Sequence, residues 1–461
     1  MKYYLSMKHS KIIFLFAFTL ILFSCDKSPI SIEEEPKFYS TPDEELTDLL
    51  LTAANNEGLS YFELPNSQDL NAIPEDPKNK LTPSKIELGK FLFHETGLGT
   101  NPKNQINRQS YSCASCHHVR AGFQAGIKQS IGEGGIGFGQ NGEARVIDTE
   151  YGFDFLDIQP IRTMSIVNSG YQEAIIWNGQ FGGTGVNKGT EDAWALRSPK
   201  EINFLGFEGL ESQAIAGLKI HRMHVSKELI ENLGYKELFD EAFPDIDPKN
   251  RYNDTITGLA IAAYERVVLA DQAPFQSWLK GDQNAMTEDQ KKGAILFFGK
   301  ANCVKCHTGP ALNTMEFYAL GMHDLKGDDV AQTVAQDFFT SAEGRGGFTG
   351  KTEDLYKFKV PQLYNLKDSP FYGHGGSFES IKDIITYKNN GIVENPVVPK
   401  EHIYPGFQPK GLTTDEINLI ADFIEESLHD PNLMRYSPEN LPSGNCFPNS
   451  DEQSMIDLGC K

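Results

Sequence analysis

Residues 113–117 read Cys-Ala-Ser-Cys-His and residues 303–307 read Cys-Val-Lys-Cys-His, so the chain contains the pattern C-x-x-C-H twice. Two thiols one helical turn apart can add to the two vinyl groups of one haem, and the adjoining histidine can then bind the iron. A chain of this composition matches the pattern by chance only roughly 0.003 times. The sequence therefore predicts two haem c groups, attached at Cys113 and Cys116 and at Cys303 and Cys306. His117 and His307 are the predicted proximal iron ligands.

Three other chemistries use closely spaced cysteines. A zinc site would have to bring the two distant motifs together, and it would leave the paired histidines unexplained. A thioredoxin-like redox pair lies beside a βαβ unit, and neither motif has such surroundings. A disulfide within C-x-x-C would be strained. Haem attachment is the interpretation that uses all the residues of both motifs.

The chain begins with positive charge followed by an apolar run. Lys2, Lys8 and Lys11 precede a stretch of twelve uncharged residues, 12–23, and Ser24-Cys25 follows it. Such a run is short for a membrane span and typical of a signal peptide. The small residue before Cys25 resembles the bacterial lipoprotein box, which implies cleavage before Cys25, lipidation of its thiol, and a periplasmic or extracytoplasmic protein tethered to a bacterial membrane. A plain secretory signal is the alternative.

The composition limits the class of partner. The chain has 461 residues, 63 acidic and 42 basic side chains and a formal net charge of −21. Nucleic-acid binding is excluded because it needs clustered Lys and Arg, whereas a basic protein partner is favoured. Of the seven cysteines, one belongs to the lipoprotein box and four to the haem motifs. The other two, Cys446 and Cys460, can form a disulfide over a short loop.

The spacing of apolar residues predicts a mainly α fold. Four helices are indicated by caps and by apolar residues at helical spacing: residues 82–93, residues 254–270, a helix that begins at the capping box Thr287-x-x-Gln290 and runs to about Phe298, and one that begins at Thr413-x-x-Glu416 and runs to about Leu428. Long glycine-rich stretches at 132–142 and 179–189 predict loops, because a haem supplies much of the core of a small domain.

Between residues 82 and 430 the order of motifs resembles the bacterial dihaem cytochrome c peroxidase family, which includes the MauG branch. The matching segments are residues 88–93, 112–117, 176–179, 210–214, 260–266, 303–310, 358–365 and 371–376. The resemblance implies two cytochrome c-like haem domains with long Gly-rich loops. We predict a signal peptide at 1–24, a lipidated tether and loose N-terminal segment at 25–75, an N-terminal peroxidatic domain at 76–245, a C-terminal electron-relay domain at 246–435, and a C-terminal tail at 436–461.

The resemblance also implies roles for residues near the first haem. Trp177 stands at the place of the tryptophan that carries electrons between the haems, and Gln213 at the place of a distal-pocket glutamine. The family's distal glutamate is absent. Peroxide cleavage needs a group that moves a proton and a group that stabilises the departing hydroxide. His221 can move the proton and Arg222 can stabilise the charge.

Other residues near that pocket leave alternatives open. His224, Glu208 and Glu211 can substitute as the proton-moving group. Many relatives cap the resting peroxidatic iron with a histidine after the first motif, but residues 122–170 contain no histidine. We therefore expect a first haem that is five-coordinate or water-bound without reductive activation. Calcium between the domains is common in the family, yet Arg162 stands where a ligating Asn is expected, so the sequence leaves calcium open.

The second haem of the family carries a methionine, or a tyrosine in the MauG branch, from a helix after the His-Gly-Gly segment. The corresponding helix here, residues 380–390, has no methionine. Tyr387 is within one residue of the expected place and is the predicted distal ligand. Met315 and Met322 are alternatives because a thioether can bind haem iron. A tyrosinate would lower the haem potential relative to methionine.

The function that we expect is a dihaem c-type peroxidase, which reduces hydrogen peroxide to water with electrons from a basic cytochrome c or another periplasmic donor. The first alternative is a MauG-like dihaem oxidase of a protein side chain or small organic substrate. The second is a non-enzymatic dihaem electron carrier or sensor. The membrane is a partner only through the lipid anchor, and a homodimer is left open.

Overall fold

The computed structural model describes residues 38–327, 330–331 and 338–461. The predicted signal peptide and the predicted lipidation site, Cys25, lie outside these residues. Residues 41–461 form one compact unit. Within the described ranges, none of the helices combines the length and hydrophobicity that a membrane span requires.

The fold is mainly helical, with little sheet, as the sequence predicts. The helices are α1 Pro42–Ala53, α2 Pro83–His94, α3 Gly209–Ile220, α4 Lys227–Asn232, α5 Lys236–Ala242, α6 Pro248–Arg251, α7 Asp254–Arg266, α8 Pro274–Leu279, α9 Glu288–Phe298, α10 Phe338–Ala342, α11 Arg345–Thr349, α12 Ile381–Asn390, α13 Thr414–Asp422 and α14 Glu452–Asp457. Long irregular segments and short 3₁₀ turns connect them.

Two antiparallel ribbons of two residues each make up the strands of the described residues. In the first, β1 Gly135–Ile136 pairs with β2 Val146–Ile147, so that Gly135 lies opposite Ile147. In the second, β3 Phe317–Tyr318 pairs with β4 Phe358–Lys359, so that Phe317 lies opposite Lys359. The second ribbon matters for the site because it places Lys359 in the interior.

The predicted helix starts are confirmed, and one predicted end is wrong. The capping boxes at Thr287 and Thr413 both form. Each threonine hydroxyl accepts from the backbone amide three residues on, and the side chain of that residue, Gln290 or Glu416, accepts from the backbone amide of the threonine. The helix predicted over 254–270 ends at Arg266, because the Leu269 and Ala270 amides donate instead to Tyr436 Oη and Asn168 Oδ1. The last predicted helix reaches its predicted end: it is α-helical to Asp422 and continues as a π-helical turn, Phe423–Ser427.

Helices cross closely at two glycines. Gly89 of α2 lies so near α7 that a Cβ atom there would stand 1.9 Å from Ala260 O. In the same way, a Cβ on Gly293 of α9 would stand 2.0 Å from Leu419 O of α13. Only glycine permits backbones to approach to these distances. The crossings place α2 against the turn that contains Cys113 and α9 against the turn that contains Cys303.

The prediction of a loose N-terminal segment up to residue 75 is wrong from Pro42 onward. Helix α1 packs against α9, and its Leu46 and Leu50 are fully buried. Asp43 at its start accepts from Trp278 Nε1 at 2.7 Å and pairs with Lys291 at 2.8 Å. Apolar residues at helical spacing after the cap Thr41 supply a buried face, which a flexible tether lacks.

Candidate haem sites

The first motif folds as a tight turn that gathers its three chemical groups. Residues Cys113–Ser115 form a 3₁₀ turn, and the His117 amide donates to Cys113 O at 3.1 Å. His117 Nδ1 donates to Phe123 O at 3.3 Å, so its Nε2 is the nitrogen left for a metal. Burial lowers the pKa of His117 to about 4, and the charge of nearby His221 acts in the same direction. The imidazole is therefore neutral near neutral pH, as metal binding requires.

The second motif repeats this geometry. Residues Cys303–Lys305 form the turn, and the His307 amide donates to Cys303 O at 3.0 Å. His307 Nδ1 donates to Leu312 O at 3.1 Å, which again leaves Nε2 for a metal. Burial lowers the pKa of His307 to about 4, with the charge of Lys388 as a second cause. None of the four motif cysteines, Cys113, Cys116, Cys303 and Cys306, is in a disulfide.

The C-terminal tail builds one wall of the first site. Pro448 O accepts hydrogen bonds from Ser112 Oγ at 2.8 Å and from Ser115 Oγ at 3.1 Å; Ser112 directly precedes the first motif and Ser115 lies within it. Cys446 and Cys460 form the disulfide that the sequence allowed. The tail is therefore a closed loop that holds the motif turn.

A cavity of about 330 Å³ lies beside the second motif. Cys303, Cys306 and His307 line it, together with Lys359. The Lys359 side chain is 1% exposed, and its amine has no hydrogen-bond partner. Burial lowers the pKa of Lys359 to about 7. A buried amine without a partner fits a ligand that brings a carboxylate, as the propionates of a haem do, so these residues fit the group that the motif implies.

Trp177 lines this cavity and is hydrogen-bonded to a segment, residues 162–164, that contacts the first motif. Its Nε1 donates to Arg162 O at 2.9 Å, and its ring meets the ring of His374 edge-on at 6.2 Å. Met164, two residues beyond Arg162, lines the same cavity, and its backbone contacts His117. A short stretch of chain therefore contacts the first motif and lines the cavity beside the second, with Trp177 bonded to it.

Two ion pairs lie side by side near the first motif. His221 Nδ1 bonds Asp157 Oδ2 at 2.8 Å, and Arg222 pairs with the fully buried carboxylate of Glu133. The backbones of Glu133 and Asp157 are joined, because the Asp157 amide donates to Glu133 O at 2.9 Å. Burial alone would lower the pKa of His221, but the Asp157 carboxylate outweighs it and raises that pKa above its ordinary value.

The other predicted distal residues lie in different surroundings. Gln213 is half-buried on α3, eight residues before His221. His224 is exposed and pairs with Asp254 at 3.1 Å, so it lies on the surface. Glu208 and Glu211 both bind Arg266, at 3.0 and 2.7 Å. Both carboxylates therefore form ion pairs with a buried arginine, and they are not available to replace His221 as the proton-moving group.

The structure does not bring Tyr387 to the second cavity. Its hydroxyl donates to Leu320 O at 2.6 Å, and the side chain is not among those that line the cavity. Burial raises the pKa of Tyr387 to about 12, which disfavours a tyrosinate. In this structure Tyr387 thus lies apart from the cavity lining, and its role as the distal ligand of the second haem stays a prediction. Of the alternatives, Met322 lines the cavity.

Arg162 stands at the position for which the sequence left the binding of calcium undecided, and its side chain is buried. Arg162 is 2% exposed, and its guanidinium donates to the carbonyls of Ala125, Ile127 and Phe371. Burial lowers the pKa of Arg162 to about 10. The described residues contain no cluster of three or more His, Cys, Asp and Glu side chains that could hold a metal ion.

Three residues of these sites are not predicted by the sequence: Asp157, Glu133 and Lys359. Asp157 and Glu133 are separated from their partners by 64 and 89 residues. No local pattern marks them, since both lie in an irregular segment. Lys359 lies in a matching family segment, Phe358–Asn365, yet only the fold shows that its amine faces a cavity.

Comparisons with known proteins agree with this geometry. The family model described as di-haem cytochrome c peroxidase matches residues 83–284. The protein MauG of Methylorubrum extorquens is 26% identical over 78% of this chain and 82% of its own. The cytochrome c551 peroxidase of Nitrosomonas europaea is 26% identical over 68% of this chain and 75% of its own. A solved MauG-like protein associated with microbial copper homeostasis shares the fold, with a TM-score of 0.54 and 21% identity over 82% of this chain and 98% of that one.

The fold and the two motifs thus define a dihaem c-type cytochrome. More specifically, residues 83–284 match the di-haem cytochrome c peroxidase family, and the chain is similar to MauG and to cytochrome c peroxidases. Its cofactors are two c-type haems.

Proposed function

We propose that this protein is a dihaem c-type peroxidase, which reduces hydrogen peroxide to water with electrons from a cytochrome c or another periplasmic donor. Curated relatives are named cytochrome c peroxidases. The observation that carries the proposal is the His221–Asp157 pair beside the first motif, because it supplies the proton-moving group that peroxide cleavage needs. Cleavage of one peroxide takes up two electrons and two protons and yields two waters.

The two haems would be held by the two motifs, in the cytochrome c-like domains 76–245 and 246–435. Cys113 and Cys116 would form the thioethers of the first haem and His117 would bind its iron; Cys303, Cys306 and His307 would do the same for the second. When bound, the haem irons supply the sites for peroxide and for electron transfer. The chain orients each histidine through a backbone carbonyl, at Phe123 and at Leu312.

Trp177 would couple the two sites. Its indole lines the cavity beside the second motif and donates to Arg162 O. Met164, two residues beyond Arg162, contacts His117. These contacts support a fixed position for the ring between the sites. Electrons would enter at the second site and reach the first through this segment.

His221 would move the proton from one peroxide oxygen to the other. Asp157 holds the Nδ1 side of the ring, so the Nε2 side is the one left to face substrate. Arg222 would contribute positive charge beside the departing hydroxide, although its pairing with Glu133 also gives it a positioning role for the loop that carries Asp157. Gln213, on the preceding helix, would line the same pocket.

The variant His221→Gln tests the proton-moving role. We expect kcat/KM for peroxide to fall by about 10²–10⁴-fold, with the haem content unchanged. His224→Gln is the matched control, because His224 is an exposed histidine three residues along the chain that also pairs with an aspartate. Turnover is measured with reduced cytochrome c as the donor. Equal activity of His221→Gln and the control would contradict the role.

A MauG-like oxidase is the second candidate function, favoured by the similarity to MauG itself. The substrate would then be a protein side chain or a small organic molecule. A non-enzymatic carrier is the third, and in that case His221 would serve as an iron ligand. His221→Gln separates the last two, because loss of an iron ligand changes the spin state of the first haem, whereas loss of a proton-moving group does not.

We also propose that the protein acts outside the cytoplasm as a lipoprotein. The apolar run at 12–23 and the lipoprotein box at Cys25 support this location. Labelling of the expressed protein with a fatty acid, in parallel with Cys25→Ala, tests the anchor. Whether the protein forms a homodimer is decided by its mass in solution.

A further inference from the structure

Lys388 reaches the second haem cavity from the same helix as Tyr387. Both residues lie on α12, but adjacent helical residues point about 100° apart. Tyr387 is bonded to Leu320 O, whereas Lys388 lines the cavity beside the second motif. Among the described residues, none forms a hydrogen bond or ion pair with the Lys388 amine.

Four lysines line this cavity: Lys305, Lys359, Lys388 and Lys410. The charge of Lys388 acts on all three groups of the motif: it is a cause of the lowered pKa of His307, and it opposes the burial that raises the pKa values of Cys303 and Cys306. The pKa of Lys359 is lowered by burial alone. Lys388 therefore lies close enough to His307 for its charge to act on that imidazole.

We propose that the amine of Lys388 is the second axial ligand of the haem held at Cys303, Cys306 and His307. The inference rests on the proposed assignment of that haem. A neutral amine carries a lone pair that can bind iron, and the Lys388 side chain lines the same cavity as Cys303, Cys306 and His307. Binding forms one N–Fe bond and releases one proton if the amine is charged beforehand, with no change in electron count.

The chemical consequence concerns the role of the second haem. A strong nitrogen ligand keeps the iron low-spin, and an amine stabilises the oxidised iron more than a thioether does. The second haem would then have a lower potential than a methionine-ligated relay. It would still be closed to peroxide, since both axial positions would be filled by protein.

The experiment uses the purified protein with haem attached, in the oxidised state. Haem content is measured first, and EPR and near-infrared magnetic circular dichroism spectra are then recorded for wild type, Lys388→Ala and Lys388→Met. Lys382→Met is the matched control, because Lys382 is an exposed lysine on the same helix. We expect a low-spin signal with amine ligation in the wild type and in the control. That signal should become high-spin in Lys388→Ala, and in Lys388→Met it should give way to a thioether–iron charge-transfer band.

Three results would overturn the proposal. A thioether–iron band already present in the wild type would assign the position to a methionine such as Met322. Spectra of both Lys388 variants identical to the wild type would show that Lys388 binds no iron. A protein that contains only one haem would overturn the haem assignment itself, so haem content distinguishes failure of the assignment from failure of the ligand. Spectra do not depend on turnover, and they are informative even for an inactive variant.

Discussion

At the scale of single residues, the two motifs predict their own chemistry but not their partners. The spacing within C-x-x-C-H is local, so Cys113 and His117 are found directly from sequence. Asp157 lies 64 residues from the histidine it binds, and nothing in its neighbourhood indicates the pairing. Tyr387 and Lys388 are neighbours on one helix, and only the fold shows that Lys388 lines the cavity whereas the Tyr387 hydroxyl bonds Leu320 O.

Trp177 provides the sharpest residue-scale prediction. Trp177→Phe removes the indole and its bond to Arg162 O, and we expect peroxide-dependent oxidation of the donor to slow by about tenfold or more. Transient kinetics of donor oxidation measure this rate. Trp194→Phe is the control, because Trp194 is a buried indole whose Nε1 bonds only a neighbouring threonine, Thr190. The same loss in both variants would indicate a general packing effect.

At the scale of elements, helix starts were predictable and helix crossings were not. Thr287 and Thr413 indicate the starts of their helices in the sequence, because capping is a local interaction. Glycines such as Gly89 and Gly293 resemble any other helix glycine in sequence, yet each one marks a close crossing. The π-helical turn after Asp422 carries no local signal that we recognise.

Gly293→Ala tests the crossing of α9 and α13. The added methyl would lie 2.0 Å from Leu419 O, so the helices would have to separate, and we expect a loss of about 1–3 kcal/mol of stability. The Tm of the protein with haem attached measures the loss. Gly217→Ala is the control, because the only close neighbour of a Cβ there is the flexible end of Gln213, at 3.3 Å. A stable Gly293→Ala variant would contradict the account of the crossing.

At the scale of the whole molecule, both ends of the described chain belong to the folded body. Helix α1 covers α9, and the disulfide-closed tail packs on the first motif at Ser112 and Ser115. The sequence predicts a loose N-terminal segment and a C-terminal tail, because polar residues are frequent in both. Their buried contacts are made with residues far along the chain, which composition does not report.

Buried His94 predicts how stability depends on pH. It is 2% exposed, its Nδ1 donates to Lys90 O at 2.8 Å, and burial lowers its pKa to about 4. Between that value and the unfolded value of about 6.5, the unfolded chain binds a proton that the folded protein does not. Stability contributed by neutral His94 is therefore complete above about pH 6.5 and is lost as the pH falls, by about 3 kcal/mol in all.

The variant His94→Phe checks this dependence. We expect the drop in Tm between about pH 7 and about pH 5 to be smaller in the variant than in the wild type, because the proton-binding difference is removed. The exposed histidine variant His224→Gln should behave like the wild type. An unchanged drop in His94→Phe would show that other groups set the acid limit.

The central claim is that two coupled haem sites reduce peroxide with electrons from a protein donor. The most direct measurement mixes the purified dihaem protein with reduced cytochrome c and a limiting amount of hydrogen peroxide, and counts the donor molecules oxidised. The account predicts two donor electrons consumed for each peroxide. It also predicts a rate that falls as salt is added, because a chain with a net charge of −21 attracts a basic donor. Consumption of peroxide without oxidation of the donor would contradict the claim.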